Sequence, residues 1–141
     1  MGFFHNPTLS RLTWALLRIV TGLVFMVHGA QKLFGWFGGM GPNGGGVPLA
    51  SLFGLAGALE FFGGLLIVLG LFTRPVAFIL AGEMAYAFWT MHFPNGGINP
   101  VANHGEPAVL YCFVYLFLAF NGAGPFSVDE ARARPRGVTT G

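Results

Sequence analysis

Apolar residues run through the chain in four long blocks, separated by short stretches rich in glycine, proline and polar residues. The blocks cover about residues 12–37, 49–72, 76–93 and 107–121. A membrane-spanning helix needs roughly 17–25 mostly apolar residues. The first two blocks meet this length, and the last two need residues from their flanks. The pattern predicts an all-α polytopic membrane protein with four spans; the alternative is three spans and a re-entrant fourth segment.

The stretches between the blocks are typical of turns and loops. Thr73-Arg74-Pro75 indicates a tight stop and restart, because the residue before proline avoids the helical region and proline suits a first helical turn. The glycine-rich residues 38–46 indicate a flexible external loop. We therefore expect one transmembrane domain over residues 1–130 and a disordered cytoplasmic tail over residues 131–141.

The positive charges predict the orientation of the helices. The loops 38–48 and 94–106 contain no arginine or lysine, and only Lys32 lies at that end of a predicted span. Cytoplasmic loops of membrane proteins carry the excess of basic residues. An up-down bundle of four helices with both termini in the cytoplasm is therefore predicted. All the arginines then fall on the cytoplasmic side: Arg11, Arg18, Arg74, Arg132, Arg134 and Arg136.

The composition agrees with a protein that lies in lipid. Of the 141 residues 54% are hydrophobic and 9% are charged, and the mean hydropathy is +0.66. A soluble domain typically carries about 25% charged residues, so this chain has too few to cover a surface in water. The net charge of +2 comes from residues near the segment ends, which indicates membrane orientation and no nucleic-acid partner. The single cysteine, Cys112, cannot form an internal disulfide.

Two carboxylates, Glu60 and Glu83, lie inside apolar blocks. A charge at the bilayer centre costs about 2.5–3.5 kcal/mol on insertion scales, so such residues usually have partners or a function. By helical rise both fall near mid-membrane, where they can share a counter-ion. The first block carries polar residues on one face, and glycine-lined faces on the first two blocks favour close contact. We therefore predict that Arg18 and Glu60 share one polar cluster.

The candidate core has two interpretations. It handles protons or a ligand, or it is a buried polar cluster that fixes the register of the helices without chemistry. The residues concerned are Arg18, His28, Lys32, Glu60 and Glu83.

No metal site is predicted. The residues His28, His92, His104 and Glu106 match no zinc or haem spacing. Nucleotide-binding and hydrolase motifs are also absent from the sequence. Any cofactor would then be lipid-soluble or belong to a partner.

Three motifs at these separations resemble the DoxX family of small four-helix membrane proteins. They are His28-Gly29-Ala30-Gln31-Lys32-Leu33, Glu60-Phe61-Phe62-Gly63-Gly64 and Gly70-Leu71-Phe72-Thr73-Arg74, preceded by Arg18 and Gly22. The resemblance implies a multi-pass protein of the bacterial inner membrane. It also implies an association with quinone-linked oxidation of sulfur compounds or with thiol-redox complexes.

Two functional hypotheses follow. In the first, the chain is a membrane subunit of a redox complex that holds a quinone, with His28, Lys32 and Trp36 as candidate cofactor-binding residues. In the second, it is a non-catalytic scaffold or anchor for a protein partner. A small proton-coupled exporter is less favoured, because those exporters carry their glutamate in the first helix. Catalysis by the chain itself and homo-oligomer formation are left open.

Overall fold

The computed structural model describes residues 2–135, and every regular element in that range is helical. The predicted all-α fold is therefore confirmed for the described part of the chain. Single helical turns form at Phe3–His5 and Pro42–Gly44. We number the five longer helices α1 (Pro7–Phe34), α2 (Leu52–Leu69), α3 (Thr73–Asn95), α4 (Glu106–Asn121) and α5 (Val128–Ala133).

The first helix begins earlier than the apolar pattern predicts. The Asn6 side chain accepts hydrogen bonds from the amides of Thr8 and Leu9, and Pro7 occupies the first turn. Both features are typical of a helix N-terminus. The helix ends at Gly35, whose φ of 70° is the left-handed conformation that glycine adopts without steric cost. Local capping thus extends α1 by about one turn beyond the apolar block.

Three helices have the length and composition of membrane spans. They are α1 with 28 residues, α2 with 18 and α3 with 23. Helix α4 is apolar but has 16 residues, which corresponds to about 24 Å against a hydrocarbon core of about 30 Å. The chain therefore folds as a helical membrane bundle, whereas the fourth span and the cytoplasmic position of both termini stay predictions.

Helices α1 and α2 pack at glycines, as their glycine-lined faces predict. A Cβ added at Gly29 would lie 2.8 Å from the carbonyl oxygen of Gly57, and Gly22 faces Gly64 in the same way. Glycine allows such close backbone approach because it has no side chain. The predicted contact between the first two helices is confirmed.

The hydrophobic core lies between all four long helices. Phe25 from α1, Ile67 from α2, Leu80 from α3 and Leu118 from α4 are at most 1% exposed. The two most extensive helix contacts join α1 to α2 and α3 to α4. This apolar core extends along α3 from Ala77 near its start to Phe88, which lies on the same side of the bundle as Ala108 at the start of α4.

The C-terminal segment forms a short helix that extends beyond residue 130, where the composition predicts disorder. Ser127 caps α5 by accepting a hydrogen bond from the Glu130 amide, and the Glu130 side chain accepts one from the Phe126 amide. Such reciprocal capping stabilises a helix start. Residues 131–133 are thus helical, which corrects the prediction of a disordered tail from residue 131. Residues 136–141 of that tail lie outside the described residues.

Candidate functional site

A buried ion pair joins α1 to α2. Lys32 Nζ donates hydrogen bonds to both carboxylate oxygens of Glu60, at 2.7 and 2.6 Å. The two side chains are only 11% and 5% exposed. Gly57, which precedes Glu60 by one turn, makes room for the lysine, since a Cβ there would lie 2.9 Å from the Lys32 Cβ. The structure thus brings two of the predicted polar residues into direct contact.

The carboxylate of this pair is held by an irregular turn. Residues Leu59–Gly63 form a π-helical turn within α2, and Glu60 is its second residue. A second π-helical turn, Phe88–His92, lies near the C-terminal end of α3. Single π-turns inside α-helices are frequent at functional sites, because they shift side chains out of the regular helical register. Glu60 therefore lies on a turn whose geometry differs from that of the surrounding α-helix.

Glu83 lies next to this pair but does not join it. All three residues line one groove. Both Glu83 carboxylate oxygens are buried, and neither has a hydrogen-bond partner within residues 2–135. The Tyr115 hydroxyl on α4, which lies in the field of Glu83, is likewise buried and unpartnered in that range. Unpartnered buried polar groups are uncommon in folded proteins, and each calls for an explanation.

A groove of about 380 Å³ lies between α2 and α3, above these charges. Its wall is almost wholly apolar. Leu55 and Ile79, on opposite walls, are 58% and 53% exposed, so the groove opens sideways from the bundle. In a membrane that opening faces the lipid chains. The lining residues are Lys32, Leu52, Phe53, Leu55, Ala56, Leu59, Glu60, Ile79, Gly82, Glu83, Met84, Tyr86, Ala87 and Met91.

Arg18 lies away from the groove, which corrects the predicted cluster of Arg18 with Glu60. Arg18 precedes Lys32 by fourteen residues of one continuous helix, or about 21 Å along its axis. Its guanidinium is fully buried and donates hydrogen bonds to the carbonyl oxygens of Ala123, Pro125 and Phe126. These backbone acceptors come from a segment that periodicity cannot place, so the sequence offered no sign that Arg18 already had partners.

His28 and Trp36 also lie outside the groove lining. The His28 side chain is exposed, and its ring meets Tyr111 edge-on with 6.1 Å between centroids. Trp36 is 55% exposed and packs against Phe34, with 5.0 Å between the ring centroids. Of the three candidate cofactor-binding residues, only Lys32 contributes to the groove.

Two groups of residues were not predicted from the sequence: the apolar lining of the groove, and the C-terminal segment that contains Asp129. Phe53, Tyr86 and Met91 shape the groove but have no distinctive pattern, because aromatic residues and methionines are common throughout the apolar blocks. Asp129 accepts hydrogen bonds from the amides of Phe72 and Thr73 at the turn between α2 and α3. The Ser-x-x-Glu signal at residues 127–130 indicates the start of α5 but does not reveal that contact.

A group of residues that we call the inner clasp ties together the helix ends on the side predicted to be cytoplasmic. It comprises Arg18, Arg74, residues 122–127 and Asp129. Arg74 donates hydrogen bonds to the last carbonyl oxygens of α4. Burial acts to raise the pKa of Asp129, but the two amide hydrogen bonds and the charge of Arg132 outweigh it. The pKa of Asp129 therefore lies below its usual range, so the clasp is built around an ionised carboxylate.

His92, near the C-terminal end of α3, takes part in local structure. His92 Nδ1 lies 3.1 Å from the carbonyl oxygen of Asn103, which helps to fold the segment between α3 and α4. Across residues 2–135 no three histidine, cysteine, aspartate or glutamate side chains are grouped so that they can hold a metal ion. The groove between α2 and α3 combines apolar walls with three ionisable side chains, and we take it as the candidate ligand site.

Comparison with known proteins gives one family. A family model described as DoxX matches residues 13–93. An uncharacterised protein of Haemophilus influenzae is 42% identical over 118 residues, which cover 82% of this chain and 87% of that protein. The Bacillus subtilis protein named "Putative oxidoreductase CatD" is 31% identical over 115 residues, covering 81% and 82%. "Inner membrane protein YphA" of Escherichia coli is 28% identical over 124 residues, covering 82% and 86%. No solved structure matches the chain significantly.

Proposed function

The chain belongs to the DoxX family, and we propose that it is the small membrane subunit of a quinone- or thiol-linked redox complex, with a quinone held in the groove between α2 and α3. It is a multi-pass protein of the bacterial inner membrane. The name of the Bacillus subtilis relative, which includes the word oxidoreductase, supports a redox role.

The observation that carries this proposal is the combination of an apolar, lipid-open groove with buried charges at its floor. The volume of about 380 Å³ lies within the range of roughly 300–1,000 Å³ typical of small-molecule pockets. Such pockets combine mostly apolar walls with a few polar groups that orient the ligand. A ring with an isoprenoid tail fits this surface, because the tail can remain among lipid chains while the ring enters.

Lys32 is the residue best placed to orient such a ring. A lysine ammonium has three donors, and two of its hydrogen bonds go to Glu60. The third is available for a ring carbonyl oxygen. Glu60 holds the ammonium in place, and the apolar walls exclude water from the head of the groove.

A bound quinone would supply two-electron redox chemistry coupled to protons. The chain itself supplies the binding surface, the donor on Lys32 and carboxyl groups that can hold a proton. None of the groups described at the groove is a redox centre, so the electron donor or acceptor belongs to a partner protein. The chain therefore acts as one subunit of a complex and not as a complete oxidoreductase.

The alternative function, a scaffold for a partner protein, is favoured by the inner clasp. That clasp uses Arg18, Arg74 and Asp129 to order the face where both termini emerge. An ordered polar face can dock a soluble protein without any ligand in the groove.

Quantification of quinone that co-purifies with the protein tests the redox proposal. The protein is isolated in nanodiscs made from its native membrane, and extracted quinone is measured per chain and compared with the quinone content of the surrounding lipid. We expect enrichment towards one quinone per chain. In Gly82→Phe the enrichment should disappear, because the Cβ position of Gly82 faces open space in the groove and a ring there fills it.

Leu16→Phe is the matched control, because Leu16 is 57% exposed on α1 away from the groove. It should retain the wild-type amount of quinone. Quinone at the level of bulk lipid in the wild type, together with a stoichiometric protein partner, would support the scaffold instead.

A further inference from the structure

The two carboxyl groups at the groove are not equivalent. We infer that Glu83, and not Glu60, is the carboxyl group that exchanges a proton with a ligand in the groove. This inference rests on the proposed function, because it assigns a role towards the ligand that the groove would bind.

Glu60 is fully engaged. Both of its oxygens accept hydrogen bonds from Lys32 Nζ, and its side chain is 5% exposed. Protonation of Glu60 would break at least one of these charge-assisted bonds and leave the buried ammonium without its counter-ion. Removing one partner of a buried ion pair is strongly unfavourable. The pair therefore acts as a fixed unit that positions Lys32.

Glu83 has no such constraint. Both of its oxygens lack a hydrogen-bond partner among residues 2–135, although they are buried. The residue is partly exposed and lines the groove, so its aliphatic stem forms part of the wall while the oxygens lie beneath it. Rotation of this side chain towards the groove would break no hydrogen bond to another described residue.

The neighbours of Glu83 define where the proton can go. The ionisable groups whose fields meet Glu83 are Lys32 on α1, Glu60 on α2 and Tyr115 on α4. On the clasp side, Ile67, Leu80 and Leu118 are at most 1% exposed and separate Glu83 from the polar clasp. The opposite end of the groove is lined by Leu52 and Met91, near the outer ends of their helices. Proton exchange therefore takes place through the groove and its outer end.

The step is a simple proton transfer. The O–H bond of a ligand hydroxyl breaks as an O–H bond forms on the Glu83 carboxylate, and the electron pair stays on the ligand oxygen. The proton leaves Glu83 for water at the outer end of the groove, which restores the carboxylate. Lys32, held by Glu60, stabilises the negative charge that develops on the ligand oxygen.

Carbodiimide labelling tests this assignment without any turnover assay. Dicyclohexylcarbodiimide is membrane-soluble and reacts with protonated carboxyl groups in apolar surroundings. The full-length protein in nanodiscs is treated with it, and peptide mass spectrometry measures the initial labelling rates at Glu83 and Glu60. We expect Glu83 to react about tenfold faster or more, because hydrogen bonds to a charged group hold Glu60 in its ionised form.

Two variants sharpen the result. In Lys32→Met, Glu60 loses its partner and should become labelled at a rate similar to that of Glu83. In Glu106→Gln, which removes a carboxyl group at the start of α4 outside the groove, labelling of Glu83 should not change. Equal labelling of Glu60 and Glu83 in the wild type, faster labelling of Glu60, or no labelling of either would each overturn the assignment.

The same experiment separates this inference from the proposed function. A short-tailed quinone added before the reagent should slow the labelling of Glu83 if it occupies the groove. Preferential labelling of Glu83 without any protection by the quinone would support the role of Glu83 and count against the quinone. Protection by the quinone combined with equal labelling of both glutamates would support quinone binding and count against the special role of Glu83.

Discussion

Gly22 of α1 and Gly64 of α2 face each other so closely that a Cβ added to either would lie 2.8 Å from the carbonyl oxygen of the other. Seven residues further along α1, a Cβ added to Gly29 would lie 2.8 Å from the carbonyl oxygen of Gly57. The two antiparallel helices are thus held in one register by two glycine contacts. That register places the Lys32 Cβ beside Gly57, and the lysine side chain extends along α2 to reach Glu60.

Substitution of Gly22 by alanine should therefore destabilise the bundle. A methyl group would meet backbone and Val68 atoms that cannot move away easily, and overpacking typically costs about 1–3 kcal/mol. Denaturant titration of helicity in detergent micelles measures the loss. Gly82→Ala is the control, because no atom lies within 4 Å of its Cβ position and alanine is the better helix former. Equal stability of both variants would show that the contact is looser than described.

The Lys32–Glu60 pair should show strong energetic coupling. Lys32→Met leaves a buried carboxylate without its partner and should lower the free energy of unfolding by about 3–5 kcal/mol. The double variant Lys32→Met/Glu60→Leu should recover much of that loss, because an apolar pair replaces a buried ionic one. A double-mutant cycle on the unfolding free energies measures the coupling. Simple additivity of the two single changes would mean that the pair does not form in the membrane.

Arg18 should act as a structural residue of the inner clasp. Arg18→Lys keeps the charge but loses the planar fork that reaches three carbonyl oxygens. We expect faster hydrogen exchange and proteolysis over residues 122–127, with quinone retention unchanged. Arg11→Ala is the comparison, since the Arg11 side chain is 53% exposed in its pair with Glu130 and should matter little. Loss of quinone in Arg18→Lys, with hydrogen exchange over residues 122–127 unchanged, would mean that Arg18 contributes to ligand binding.

The inner clasp should loosen in acid. Because folding lowers the pKa of Asp129, the carboxylate stabilises the clasp fully above its ordinary value of about 3.9. That contribution is lost as the pH falls through the lower pKa of the folded protein. Hydrogen exchange at the amides of Phe72 and Thr73, corrected for intrinsic rates, should accelerate in this acidic range. Asp129→Asn should exchange fast at every pH, and a pH-independent wild type would contradict the role of Asp129.

The orientation in the membrane is tested by single-cysteine labelling. In a Cys112→Ala background, a cysteine at Asn43 should react with an impermeant thiol reagent in right-side-out vesicles, because the loop that contains it carries no positive charge. A cysteine at Arg132 should react only in inverted vesicles. The reverse result would place both termini outside.

The apolar blocks determined the helices, and capping residues adjusted their ends. Four runs of apolar residues in a chain with 9% charged residues can only be satisfied by helices in lipid, because every backbone polar group then bonds within its own segment. The glycine faces also predicted the contact of α1 with α2. The helices and their ends depend on neighbours within a few residues, and the glycine faces are visible from helical periodicity, so the sequence reveals both.

The membership of the site was decided by tertiary structure. Lys32, Glu60 and Glu83 share the groove, whereas Arg18 lies on the same face of α1 as Lys32 but is bonded to the segment after α4. A helical face identifies which side chains point in one direction, but it does not identify which distant segment meets each of them. The groove has walls from both α2 and α3, and Glu60 enters it from a π-helical turn of α2. Only the folded chain brings these residues together, because the contacts that decide their partners join segments far apart in sequence.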